Sequence, residues 1–170
     1  MAKNKIKEIQ RKYNHLKRRL PRTIGQVAVN FSKDNFRRQG FLDGGRVNKW
    51  KKRKFSGGNE GKALLTQSGK LKKSIAIIRA SPSEIVIGTK GIPYGRIHNE
   101  GGQINQKVTN KQRAFFWAKY KASGNELYKR MAMSTKLEIR IPRRKFIGNS
   151  TDLQQQMARK IKLELLKIFK

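Results

Sequence analysis

Positive charge is the feature that most limits the folds open to this sequence. Forty-two lysines and arginines stand against ten aspartates and glutamates, a formal net charge of +32 over 170 residues. A compact state carrying that charge repels itself and demands counter-charge from outside, whether nucleic acid, an acidic protein surface or an anionic membrane. The ten acids, among them Glu8, Asp34, Glu60, Glu100 and Asp152, are spread along the whole length. The excess is therefore global and not a basic tail on a neutral domain. Hydrophobic residues make up 36%, a lean but adequate supply for a core in a chain whose length suits one domain over 1–170.

No cysteine is present, which excludes disulfide staples and thiolate metal sites. Two histidines and dispersed carboxylates exclude a histidine-rich metal centre, and no cofactor is expected. The opening Met-Ala-Lys-Asn-Lys-Ile-Lys lacks the apolar stretch of a secretory signal, and no apolar run approaches membrane-spanning length. A soluble protein made inside the cell, with no membrane partner, is the expectation.

Ile6, Ile9, Tyr13, Leu16 and Leu20 recur at 3-4-3-4 spacing among lysines and arginines, the pattern of an amphipathic helix with a narrow apolar seam. Pro21 interrupts it, and Ile24, Val27, Ala28 and Phe31 resume the spacing. One kinked helix, or two in succession, is predicted over 4–38. Asp43-Gly44-Gly45 reads as a loop, as does the glycine-rich stretch after Trp50 and Phe55. Residues 74–79 and 84–89 predict two strands joined by a turn at Ser81-Pro82-Ser83, a hairpin over 74–89. A further strand is predicted at 103–109.

A helical insert follows at 110–136, in which Phe115, Phe116 and Trp117 read as core. Leu137, Ile139 and Ile141 alternate with Glu138 and Arg140, a half-buried strand ending at Pro142. Ser150-Thr151-Asp152 predicts an N-cap, and Leu153, Met157, Ile161, Leu165 and Ile168 a terminal amphipathic helix over 151–169. The sheet and loop regions are 50–109 and 137–150. The fold class is α+β: a mostly antiparallel sheet packed with long amphipathic helices at both ends. Leu65, Leu71, Ile75, Ile77, Val86, Ile97, Ile139 and Phe146 form the predicted core.

Two stretches resemble chemistry. In Gly57-Gly-Asn-Glu-Gly-Lys62-Ala63 the glycines Gly57 and Gly61 enclose three residues where a phosphate-binding loop needs four, and alanine follows the lysine where a hydroxyl must reach Mg²⁺. A flexible loop is the better reading. In Gly91-Ile-Pro-Tyr-Gly-Arg-Ile-His-Asn-Glu-Gly-Gly102, a hydrolase would use His98 as base, Glu100 to orient it, and Tyr94 or Arg96 to hold an oxyanion. No G-x-S-x-G elbow supplies a nucleophile. The structural alternative packs Tyr94 and Ile97 on the sheet, lets His98 and Glu100 satisfy the backbone or each other, and turns sharply at Gly101-Gly102.

Three segments in order also resemble a known pattern. "LLTQSGKLKKSI" at 64–75, "IVIGTKGIPYGRIHNEGG" at 85–102 and "IPRRKFIGNS" at 141–150 look like successive blocks of the virion-morphogenesis and tail-completion proteins of tailed phages, the Mu-like and P2-like family. Trp50 fits the tryptophan these proteins often carry upstream. Gly95 stands where alanine is usual, and Lys145 where proline is common. The resemblance implies a non-enzymatic virion protein that assembles as a homo-oligomeric ring at the neck or tail terminus, against neighbouring tail-tube or connector proteins. It would pass through the host cytoplasm during assembly.

The resemblance makes Trp50, Gly69, Leu71, Tyr94, Ile97, His98, Gly101, Gly102, Pro142, Arg144 and Phe146 the motif positions that set structure beside a subunit interface. The basic residues Lys51, Lys52, Arg53, Lys54, Lys72, Lys73 and Arg143 are candidate contacts to an acidic neighbour or to packaged DNA. From charge alone the competing expectation is a nucleic-acid-binding module of ribosomal-protein type; the hydrolase is a third.

Overall fold

A computed structural model describes residues 2–53 and 61–169. Lys54, Phe55 and most of the glycine-rich loop lie outside the described residues. The chain divides into two compact units, one of Met1–Glu100 with Arg143–Lys170 and the other of Gly101–Pro142.

In the first unit, α1 (Ala2–Arg38) runs unbroken through Pro21, the single-helix form of the two arrangements the sequence left open. Its inward face is Leu16, Ile24, Ala28, Phe31 and Asn35, so the 3-4 spacing places one stripe in the core for five turns. Gln39 then takes φ +53° and ends the helix. β1 (Gly40–Asp43) and β2 (Arg46–Lys49) form a short hairpin that the sequence reading missed, taking Asp43-Gly44-Gly45 for a plain loop. A short helix, α2 (Lys70–Ser74), begins after Gly69 in the left-handed region and leads into β3 (Ile75–Ala80). β3 pairs antiparallel with β4 (Ile85–Thr89) from Ile75↔Thr89 to Ala80↔Ile85, with a bulge between Ile77 and Arg79. That is the predicted hairpin, closed by Ser81 N–H to the Glu84 oxygen at 2.8 Å. α3 (Gly95–Glu100) follows, and α6 (Thr151–Leu166) closes the chain. Ser150 caps α6, its hydroxyl accepting from Leu153 N–H, as the sequence predicts.

The second unit pairs β5 (Gly102–Lys107) with β6 (Lys136–Ile141), from Gly102↔Ile141 to Lys107↔Lys136. Between them lie α4 (Asn110–Ser123) and α5 (Glu126–Met133). Thr109 and Gln112 form a reciprocal capping box at the start of α4. Arg113 reaches from α4 to the carbonyl oxygens of Ala132 and Ser134, satisfying the end of α5.

The class is α+β with long helices at both ends. Among the described residues the strands form three separate two-stranded antiparallel ladders and not one sheet. The core of the first unit is Val29, Phe36, Trp50, Leu71, Ile75 and Phe146, with Leu64, Leu65, Ile77 and Ile87 packed against it. Leu71, Ile75 and Phe146 are thus buried as predicted, while Leu65, Ile77, Val86 and Ile97 are only partly so. Ile139 is exposed, because a two-stranded ladder covers less of each strand than the wide sheet the alternation implied. Phe115 and Trp117 are exposed as well. Residues 115, 116 and 117 point about 100° apart on a helix, and only Phe116 turns inward.

Candidate functional site

Four motif positions of the first unit, Trp50, His98, Arg144 and Phe146, meet at one joint. The ring of Trp50 packs edge-on against Phe36 at 5.3 Å, and Phe36 lies 5.1 Å from Phe146. Around these rings, polar groups from three distant segments are spent on main-chain partners. Trp50 Nε1 donates to the Lys145 oxygen at 2.8 Å. Arg144 N–H donates to the His98 oxygen at 2.8 Å, and its Nε to the Lys51 oxygen at 3.1 Å. Asn99 Oδ1 accepts from both Phe146 N–H and Ile147 N–H at 2.9 Å. Asn35, fully buried, donates to the Phe146 oxygen at 3.2 Å and accepts from Leu42 N–H at 3.2 Å.

A segment without regular structure, Arg143–Asn149, is therefore fixed by side chains from α1, α3 and the Trp50 strip. Buried backbone groups must find partners, and here Asn35, Trp50, Asn99 and Arg144 are those partners. Lys145, where the resemblance led to an expectation of proline, lays its ammonium 4.1 Å over the Phe41 ring and donates to the Asn149 oxygen. Such contacts need a flexible stem that proline lacks.

The cluster from Gly95 to Glu100 is helical, so His98 and Glu100 do not share the one face that an extended segment would give them. Gly95 starts α3 buried against Thr89, so closely that a Cβ there would lie 2.3 Å from the threonine hydroxyl. His98 and Glu100 do not pair: Glu100 binds Arg96 at 2.9 Å, one helical turn back. Tyr94 is exposed and stands edge-on to the His98 ring at 5.8 Å, which corrects the expectation that it packs on the sheet. Burial, and then the nearby Arg144 guanidinium, push the His98 pKa below the usual histidine value. Its Nδ1 is buried without a hydrogen-bond partner. Arg144 is itself largely buried, and burial followed by the adjacent Arg53 pulls its pKa down. An imidazole beside the Arg144 guanidinium, with its proposed carboxylate engaged elsewhere, lacks the orienting partner the hydrolase reading required.

The remaining candidates are placed as follows. Gly69 and Leu71 position α2 against the core. In the second unit, Gly101 takes φ +78°, Gly102 opens β5 and Pro142 follows β6. Of the basic candidates, Lys51, Lys52, Lys73 and Arg143 are exposed and Lys72 is half-buried. Arg53 is turned to the oxygens of Lys62 and Ala63, and Lys54 is outside the described residues.

The sequence reading missed Asn35 and Asn99. Asn35 had a signal, since it occupies the next seam position after Ala28 and Phe31, where a polar residue needs a specific partner. Asn99 had none beyond lying in the motif.

Comparison with known families decides what this joint belongs to. The phage virion morphogenesis family matches residues 2–166. The chain belongs to the phage virion morphogenesis family. No curated protein and no solved structure matches it detectably. The role of this virion morphogenesis protein is in building the phage particle, and its motif residues form the joint that holds α1, α3 and the 143–149 segment together. Among its described residues no helix is long and apolar enough to cross a membrane, and no group of three His, Asp or Glu could hold a metal ion.

Proposed function

We propose that the chain completes the tail or joins it to the head, as one subunit of a ring at the neck or tail terminus, and that it does so without catalysis. The observation that carries the reading is the fate of the one reactive-looking cluster. Trp50, Arg144 and Asn99 direct their polar groups to backbone 47 to 95 positions away, His98 Nδ1 has no hydrogen-bond partner among the described residues, and Glu100 is held by Arg96. Residues arranged so build a rigid scaffold that presents its outer face to neighbours. The exposed basic residues Lys51, Lys52, Lys73 and Arg143 supply that face with charge suited to acidic ring neighbours or to threaded DNA, gripped without sequence readout.

The test is a phage carrying a stop codon in this gene. Unjoined heads and tails, or tails of irregular end, with the wild-type chain found in complete particles, support the reading; intact infectious particles without the chain refute it. The ribosomal-type alternative is scored by salt titration. Nanomolar nucleic-acid affinity at physiological salt that depends on Lys51 and Lys52 favours it, whereas weak binding that collapses with salt is charge alone.

A further inference from the structure

A groove on the first unit joins two features that no motif accounts for. One wall is the α1 stripe Arg18, Arg22, Gln26, Val29 and Lys33; the other is the whole of β3 with Lys73 before it. Among the described residues β3 pairs with β4 and with no other strand, so its far edge lies open along this groove. Among the described residues Arg18, Arg22, Lys33 and Lys73 enter no ion pair there, whereas Arg79 at the far end is held by Glu84 at 3.0 Å. No acid lines the groove among the described residues.

We infer that the open edge of β3 accepts an extended acidic segment of another protein, which adds as a third strand beside β3 with its carboxylates over Arg18, Arg22 and Lys33. The inference rests on the assembly reading and names a partner for it.

Three observations select this occupant. An open strand edge presents N–H donors and C=O acceptors alternately, and a peptide backbone matches both, whereas phosphates only accept and leave the carbonyls unpaired. A second copy of the chain is poorly suited. Its nearest acids, Asp34 and Asp43, are 43 − 34 = 9 positions apart, so it has no acidic strand to offer, and its basic strands would be repelled. The faces of the ribbon also differ. α1 packs beneath it, with Gly25 against Ile77 and Ile85, while Ile78, at the bulge, is exposed with its side chain over Gly88. An added strand would alternate accordingly, acidic side chains down toward α1 and apolar ones up beside Ile78. Cations along the edge also discourage pairing between copies before assembly.

The experiment is a binding titration of the full chain with a fluorescein-labelled ten-residue peptide alternating glutamate and valine. Binding is expected to weaken at least tenfold when glutamine replaces glutamate, and at least tenfold in an R18E/R22E chain. In that chain a lysine–valine peptide should bind instead. N-methylation of one alternate set of residues should abolish binding and of the other set be tolerated, the mark of one hydrogen-bonded edge. K33E/K73E is the second variant and should weaken the glutamate peptide in the same way. No binding, equal binding of the glutamine peptide, or indifference to both N-methylated sets overturns the inference. So does a short DNA duplex that competes for the site, binds more tightly and is lost in R18E/R22E. Presence of the chain in particles is measured separately. A chain that is incorporated yet binds no acidic strand sinks this inference alone, and a chain absent from particles sinks the assembly reading.

Discussion

The indole Nε1 of Trp50 donates to the carbonyl oxygen of Lys145 at 2.8 Å, closing a loop of ninety-five positions with one bond. The same ring is wedged against Phe36. Trp50→Phe keeps most of the ring packing and removes the donor, leaving a part-buried carbonyl unsatisfied. A loss of about 1–2 kcal/mol is expected by urea denaturation. Trp50→Ala removes the packing as well and should cost about 3–5 kcal/mol. Equal losses in the two variants would show that the hydrogen bond contributes nothing beyond the ring.

Gly95 is fixed by the side chain of Thr89. A Cβ at 95 would meet Thr89 Oγ1 at 2.3 Å, Cγ2 at 2.9 Å and Cβ at 3.0 Å, so rotating the threonine exchanges one clash for another. Gly95→Ala should therefore destabilise the chain by about 1–3 kcal/mol despite alanine's better helix propensity. Thr89→Ala removes the two nearest atoms, and the double variant should regain most of the loss. A thermal-melt double-mutant cycle with no coupling between the sites would contradict this account.

These two sites mark what the sequence made legible. Spacing alone placed α1, the β3–β4 hairpin and the α6 cap, because each depends on local periodicity or a local cap. The second and third motif blocks contain segments that meet at the Trp50 joint. What they could not give was how the blocks meet, since the partners are carbonyl oxygens, such as those of Lys51, His98 and Lys145, that every residue type possesses. The β5–β6 pairing was hidden for a related reason: both strands were visible, but nothing in either specified the other across α4 and α5. In α6 the periodicity misled in register. Leu165 was read as inward, yet it is exposed, and the inward position belongs to Glu164. A charged residue is read as outward unless its partners can be foreseen, and one of these lies 145 positions away.

His98 gives a test of the joint that does not require a variant to misfold. Burial, with Arg144 beside it, lowers its pKa from 6.5, so the unfolded chain takes up the proton first as pH falls. Where the unfolded state binds more protons, stability rises with pH, and this contribution is present above about pH 6.5 and lost below it. The His98 ring proton signal in NMR should titrate with a midpoint below 6.5. In His98→Gln the accompanying fall in melting temperature from pH 7 to pH 5 should shrink. A midpoint at or above 6.5 would mean that the imidazole is open to water and that α3 is not packed as described.

Glu164 makes the sharpest pH prediction. Its carboxylate is buried between α6 and α1, ion-paired to Arg19 at 2.6 Å, Lys167 at 2.9 Å and Lys160 at 3.0 Å. Hydrogen bonds from Lys167 and then Lys160, opposed by burial and reinforced by the charges of Lys167 and Arg19, bring its pKa down from 4.5 to about 2. A depressed carboxylate stabilises the fold fully above the unfolded value and progressively less as pH falls from about 4.5 toward about 2. The melting temperature of the native chain should drop through that window. Glu164→Gln keeps the shape but strands three cations without a counter-charge. It should melt lower at pH 7, and its further drop from pH 5 to pH 2 should be smaller than the native chain's. Parallel acid profiles for the two proteins would show that the terminal helices are held by their apolar seam alone.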